Sequence, residues 1–145
     1  MNISLKPITQ QNYEAICDLE VYEAQEEFVA SNVWSLVEAA FNPSYITRGI
    51  FLDEQPVGFF MWVPETTDKT SIWRFMLDKA YQAQGIGRQA MLLALAEIQQ
   101  SLAPKQIEIC YDPNNPIAKN FYASFGFIEQ GLDQDGDDIL AIKEY

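Results

Sequence analysis

The run Gln82-Ala83-Gln84-Gly85-Ile86-Gly87-Arg88 holds the residues best spaced to do chemistry in this chain. Two glycines one residue apart let backbone amides turn toward a single point with no Cβ in the way. The run lies between a strand-like segment, Ser71 to Asp78, and a helix-like segment reaching about Ser101. A helix starting there adds unpaired N–H groups and the positive end of its dipole, which together make a pocket for a diphosphate. Two other phosphate loops are excluded. GxxxxGK[ST] has no match, and GxGxxG fails because Gln89 and Ala90 follow Gly87 with no third glycine. Arg88 falls in the first helical turn, where a cation opposes the dipole by about 0.3–1 kcal/mol. No acidic residue between Lys79 and Ala96 neutralises it. Either a bound anion balances Arg88, or the run is a plain glycine turn and Arg88 extends into water, where the penalty is screened.

A second constellation follows at Asn114-Asn115-Pro116. Asn115 can cap a short helix and Pro116 suits its first position. Ala118 and Tyr122 then share one face with Asn115, while Phe121 and Phe125 share another, assigned to the core. The first face offers an amide, a small residue that allows close approach, and a phenol. A buried tyrosine with a satisfied hydroxyl would carry the same pattern.

Composition removes several chemistries. With no histidine, serine–histidine and cysteine–histidine catalysis is excluded and a zinc site is not expected. Cys17 and Cys110 belong to no metal-like cluster, so no metal is expected. Any general base must be a carboxylate, a tyrosine, a lysine or water. Nine basic and 21 acidic residues give a net charge of −12, which argues against nucleic-acid binding. The acids gather as Glu14, Asp18, Glu20, Glu23, Glu26 and Glu27, and again between Glu129 and Asp138. They either solubilise the protein or draw in a cationic substrate. No apolar stretch is long enough to span a bilayer, so no membrane partner is expected. The segment from Met1 lacks the apolar core of a signal peptide, so a cytoplasmic location is expected.

The elements that must position these residues are readable in outline. Residues 1–145 are expected to form one domain, large enough to bury about two-thirds of its unfolded surface. Asn2 to Ile8 reads as a strand. Thr9 caps a helix to Leu19, and Ser31 or Asn32 caps another with Val33, Leu36, Val37 and Ala40 as its apolar stripe. Tyr45 to Leu52 and Val57 to Val63 form a hairpin. After the strand from Ser71 and the glycine run, Met91, Leu95, Ile98 and Leu102 make one buried helical stripe. Gln106 to Tyr111 is a strand, Ile117 to Phe125 a short helix, and Phe127 to Gln130 pairs with Ile139 to Glu144. The order β-α-α-β-β-β-α-β-α-β-β predicts a mixed α/β (α+β) sandwich with a mostly antiparallel, twisted central sheet of six to seven strands and four helices.

Two motifs resemble the GCN5-related N-acetyltransferase family. Its acetyl-CoA loop, Gln/Arg-x-x-Gly-x-Gly/Ala, is matched by Gln82, Gly85 and Gly87, with Tyr81 before them. Its second motif, Asn-x-x-Ala-x-x-Phe/Leu-Tyr-x-x-x-Gly-Phe, is matched by Asn115, Ala118, Phe121, Tyr122, Gly126 and Phe127. The resemblance implies that the backbone from Gln82 to Arg88 holds the diphosphate of coenzyme A. It implies a bulged, splayed strand whose Phe75, Met76 and Leu77 pair with the pantetheine arm and polarise the thioester. Asn115 would contact the cofactor, and Tyr122 would act as catalytic acid toward the departing thiolate. A tyrosine of pKa about 10 suits a thiol of pKa about 8.5. One departure stands out. The carboxylate that many members carry early on that strand is missing from Ser71-Ile72-Trp73-Arg74, so the base is sought through water among Glu20 to Glu27.

The segment Val21 to Ala40 is similar to that of bacterial spermine/spermidine acetyltransferases of the family, which implies a polyamine or diamine acceptor. Glu20, Glu23 and Glu27 are then the candidate carboxylates for its distal ammonium groups. The other expected acceptors are an amino acid, an aminoglycoside or a protein N-terminus, and a coenzyme A sensor without turnover is a rival of another class. Dimers are common in the family, so a homodimer is one expected assembly.

Overall fold

The apolar run from Val57 to Val63 becomes the spine of the sheet. Phe60 and Trp62 are buried in the core on one face, Phe59 and Met61 in the core on the other. A strand covered on both faces shows no polar alternation, as its sequence anticipates. The computed structural model describes residues 2–145, so Met1, where the segment read for a leader begins, lies outside them.

The strands are β1 (Ile3–Pro7), β2 (Ile46–Leu52), β3 (Gln55–Pro64), β4 (Lys69–Leu77), β5 (Gln106–Tyr111), β6 (Ile128–Leu132) and β7 (Ile139–Glu144). The helices are α1 (Tyr13–Asp18), α2 (Asn32–Phe41), α3 (Ile86–Leu102) and α4 (Ala118–Ala123), with 3₁₀ turns at Glu23–Phe28 and Lys79–Tyr81. The seven strands form one sheet in the order β1-β2-β3-β4-β5-β7-β6. Every neighbouring pair is antiparallel except β4 and β5. The expected order of elements and mixed α/β architecture are therefore observed. The core holding α3 and α4 packs one face, and Ile16 of α1 anchors a smaller core on the other.

The parallel pair creates the opening on which the site depends. Pairing of β4 with β5 stops at Ile72 and Ile109. Beyond that point β4 stays on β3 as far as Leu77, while β5 stays on β7 as far as Tyr111. A bulge marks the parting: Met61 pairs with Arg74 and Trp62 with Ile72, which leaves Trp73 unpaired. Bulges bend the strand that carries them. Gly58 lets β3 stay against the diverging β4, because a Cβ there would lie 2.5 Å from the Met76 carbonyl oxygen.

Three expectations are corrected. Regular helix α1 begins at Tyr13, not after Thr9. Thr9 and Asn12 first close a turn, with the Gln11 N–H donating to Thr9 Oγ1 at 3.2 Å and the Thr9 N–H to Asn12 Oδ1 at 2.8 Å. On α2, Val33 and Val37 are exposed together with Trp34 and Phe41, while Asn32 and Ser35 are buried. Arg74 turns that polar face inward: its Nε donates to Ser35 Oγ at 3.1 Å and its Nη2 to Glu38 Oε1 at 2.7 Å. Leu102 is half exposed in the last turn of α3, while Met91, Leu95 and Ile98 are buried as expected.

Candidate functional site

Between the diverging ends of β4 and β5 lies a cleft of about 1000 Å³. Its lining comes from β4, β5, the glycine loop, α4 and the chain between α1 and α2.

The glycine loop meets the cleft at the N-terminus of α3. Gly85 is the helix cap with φ 84°, a left-handed conformation that glycine adopts without strain. Ala83 is also left-handed, with φ 60°. The backbone N–H groups of residues 82 to 88 have no acceptor within the protein among the described residues. Gln82, Ala83, Gly85, Gly87 and Arg88 line the cleft. The side chains of Gln84 and Ile86 do not: Gln84 Nε2 donates to the Ala80 carbonyl at 3.0 Å, and Ile86 is fully buried in the core. These two residues offer only their backbone. Arg88 does not simply extend into water. Its Nη1 donates to Ser124 Oγ at 3.2 Å, and its guanidinium stands 4.9 Å from the centre of the Phe125 ring. Ser124 closes the C-terminus of α4, where the helix dipole welcomes a cation.

On α4, Ala118 and Tyr122 line the cleft with Asn115 and Phe121. The regular helix starts at Ala118, later than expected. Asn115 still caps the turn before it, its Oδ1 accepting from the Ile117 N–H at 3.1 Å. Phe125 is core as expected, but Phe121 is only partly buried and faces the cleft lining. The Tyr122 ring stacks on Tyr111, with centroids 5.6 Å apart. Burial, reinforced by Tyr111, pushes the Tyr122 hydroxyl well above the ordinary tyrosine value. Its proton therefore stays in place through physiological pH. Tyr111 is itself pushed up to about 12 by burial and by Glu129.

Of the three β4 residues, Phe75 and Leu77 pack toward the α3–α4 core, while Met76 is buried on the opposite face beside Asn32. From Trp73 to Leu77, the β5 side of β4 has no strand partner. The Leu77 carbonyl accepts from Gln82 Nε2 at 3.0 Å.

The expected acidic residues separate. Glu27 lines the cleft. Glu20 does not; its carboxylate pairs with Lys79 Nζ at 2.7 Å and its N–H donates to Asp78 Oδ1 at 2.9 Å. Glu23 also lies outside the main cleft, on a shallow hollow shared with Ala24, Glu26 and Glu27. Sequence reasoning did not single out Glu65, Glu108 and Asp112, and it read Asp135 and Asp138 only as members of the second acidic cluster; all five line the cleft. Glu65 accepts from Trp73 Nε1, and Glu108 pairs with Lys69. Burial, followed by Asp133, Asp112 and Asp137, raises the Asp138 carboxyl above its usual range. The only signal for this end of the cleft was the density of acids from Asp133 to Asp138. Cys110 lines it too, and burial with Glu108 pushes its thiol up to about 11, which leaves it protonated and poorly nucleophilic. Among the described residues no group of three or more metal-ligating side chains is gathered, and no helix is long and apolar enough to cross a membrane.

A splayed parallel pair, a left-handed glycine at the helix N-terminus beyond it and a tyrosine across the gap define a class. The chain belongs to the acetyltransferase (GNAT) family, whose model matches residues 8–127, and is thus an acyltransferase. Within that family it is 30% identical over 152 residues to the spermine/spermidine N(1)-acetyltransferase of Bacillus subtilis strain 168, with 99% of each chain covered. The probable spermine N(1)-acetyltransferase of Bacillus subtilis subsp. natto shares the same identity and coverage. Its fold is that of the PaiA N-acetyltransferase of Thermoplasma acidophilum, solved with coenzyme A, at a TM-score of 0.77, 19% identity and full coverage of both chains. The aminoglycoside acetyltransferase AAC(6')-Ib, solved with ribostamycin and coenzyme A, superposes with a TM-score of 0.80 at 16% identity, covering 99% of this chain and 94% of the other.

Proposed function

We propose that this protein transfers an acetyl group from acetyl-CoA to a primary amine of a polyamine such as spermidine or spermine, or of a related diamine. The full-length 30% identity to a spermine/spermidine N(1)-acetyltransferase carries the acceptor assignment. The carboxylates of the cleft agree with it. Of the two arginines in the lining, Arg74 is neutralised by Glu38, so a polycation meets a predominantly negative surface.

The free N–H groups of residues 82 to 88 suit a diphosphate, and the dipole of α3 adds to their pull. Asn115 has donors left on Nδ2 for the cofactor, and Ala118 leaves room for it to approach. Acetyl-CoA supplies the activated acyl group as a thioester. The unpaired edge of β4 at Phe75, Met76 and Leu77 orients the pantetheine arm and offers N–H groups toward the thioester oxygen. Tyr122 holds a proton on its hydroxyl for the departing thiolate. The amine attacks directly, and the raised Cys110 pKa argues against a thiol relay. We assign the base to Glu27 acting through water, since it is the acidic member of Glu20 to Glu27 that lines the cleft.

Release of coenzyme A thiol, followed with spermidine, spermine, putrescine, lysine and an aminoglycoside, tests the reading. Highest kcat/KM for a polyamine or short diamine is expected. Preference for lysine or the aminoglycoside removes the polyamine assignment, and coenzyme A binding with no turnover makes the chain a sensor.

A further inference from the structure

We propose that Gln25 is a positioning residue that ties the acceptor wall of the cleft to the cofactor loop, so that filling the diphosphate cradle orders the wall that receives the amine. The proposal rests on the coenzyme A reading of residues 82 to 88. Gln25 and Gln82 form a reciprocal amide pair: Gln25 Nε2 donates to Gln82 Oε1 at 3.0 Å, and Gln82 Nε2 donates to Gln25 Oε1 at 2.9 Å. Both amides are partly buried, where such bonds are less exposed to competition from water. Gln82 is also anchored to the Leu77 carbonyl at the end of β4, so the pair joins three parts of the cleft.

Gln25 organises its own segment as well. Its N–H donates to the Tyr22 carbonyl at 2.8 Å, and its Oε1 accepts from the Tyr22 N–H at 3.2 Å. Those two bonds open the 3₁₀ turn Glu23–Phe28, which brings Glu27 and Phe28 to the cleft. That turn contains no buried residue. Val21 and Val29 pack against the smaller core on either side of it, and between those two anchors the turn is held by polar ties. The other ties join Glu20 to Asp78 and Lys79. The Glu20–Lys79 ion pair is exposed and contributes little in water.

On the cofactor side, the residue after Gln82 is Ala83, held at φ 60°. A side chain in that region is strained and persists only where its surroundings fix it. An anion drawn to the loop N–H groups fixes it further. Order gained at Gln82 then passes through the amide pair to the turn, which couples two ligands without a change of shape. The coupling is reciprocal, so a bound amine also tightens coenzyme A.

Hydrogen–deuterium exchange of the full chain, with and without coenzyme A, tests the tie independently of acceptor identity. In wild type, coenzyme A is expected to slow exchange at residues 82–88 and at residues 20–28. In Gln25→Ala the slowing at 82–88 persists and that at 20–28 is lost. A purely structural role would change exchange in the free protein but not this ligand-dependent difference. Gln25→Glu still accepts from Gln82 and Tyr22, and keeps part of the protection. Full ligand-dependent protection of 20–28 in Gln25→Ala overturns the tie, as does wild-type protection confined to 82–88. No protection at either segment removes the coenzyme A reading itself, and the tie with it.

Discussion

Gly87→Val separates damage to the ligand site from damage to the fold. A Cβ at position 87 would meet Leu77 Cδ1 at 3.4 Å and the Phe121 ring at 3.8 Å, which are ordinary contacts. Residue 87 is the second of α3, where valine is a better helix former than glycine by a few tenths of a kcal/mol. The Cβ itself is accommodated and only the two γ-methyls must find room beside Leu77 and Phe121, so the ligand-free variant is expected to melt within about 4 °C of wild type. The diphosphate is expected to have no such tolerance, because Gly87 lines the cleft and a branched side chain there would crowd oxygens approaching the loop. Losing one hydrogen bond to a charged group removes about 1.5–3 kcal/mol. That corresponds to a coenzyme A Kd weakened about 10–150-fold. Gly85→Ala provides the contrasting signature. An added Cβ meets nothing within 4 Å there, but φ 84° makes the backbone unfavourable by about 1–2 kcal/mol, so Tm falls even without ligand. Calorimetric titration with coenzyme A, paired with thermal melts, measures both. An unchanged Kd in Gly87→Val refutes the phosphate cradle, and a weakened Kd matched by a large fall in Tm assigns the loss to folding.

Tyr122→Phe is expected to lower kcat by about 10²–10⁴-fold while leaving coenzyme A affinity near wild type, and an unchanged kcat removes Tyr122 from acid catalysis. Because its pKa is raised, the hydroxyl keeps its proton beyond the ordinary value of about 10. The wild-type rate should therefore climb as the amine deprotonates toward pH 10, with no fall from Tyr122 ionisation in that range. A folded-state pKa raised above the unfolded value means that the Asp138 carboxylate opposes folding above its unfolded pKa. Asp138→Asn should then raise Tm slightly near neutral pH yet increase KM for spermidine; a lowered KM contradicts a cation-binding wall. Arg74→Ala leaves the partly buried Glu38 carboxylate without its cation, and a loss of about 1.5–3 kcal/mol in denaturant unfolding is expected.

Local signals made much of the molecule legible. Gly85 and the helix behind it are a strand–turn–helix pattern written in contiguous residues, and Asn115 to Tyr122 is another. The strands and helices followed in the expected order because apolar runs and turn residues mark them. What escaped was non-local. The inward face of α2 is polar because Arg74 of β4 reaches Ser35 and Glu38. Periodicity within α2 cannot reveal that, and it points to Val33 and Val37 instead. Glu20 looked free for a substrate but is engaged by Lys79, and Gln25 stood out only within the segment Val21 to Ala40, with nothing local to reveal its pairing with Gln82, 57 residues away. The acids at Asp135 and Asp138 were visible as charge, but only the return of β7 beside β5 brings them to the cleft.

The central claim is acetyl transfer from acetyl-CoA to a polyamine amine. Its most direct test incubates the protein with acetyl-CoA and spermidine, titrates free thiol and identifies the product by mass spectrometry. The account predicts one N-acetylspermidine for each thiol released, and no thiol release when spermidine is omitted. Thiol release independent of the amine, or no acetylated spermidine from protein that binds coenzyme A, would contradict it.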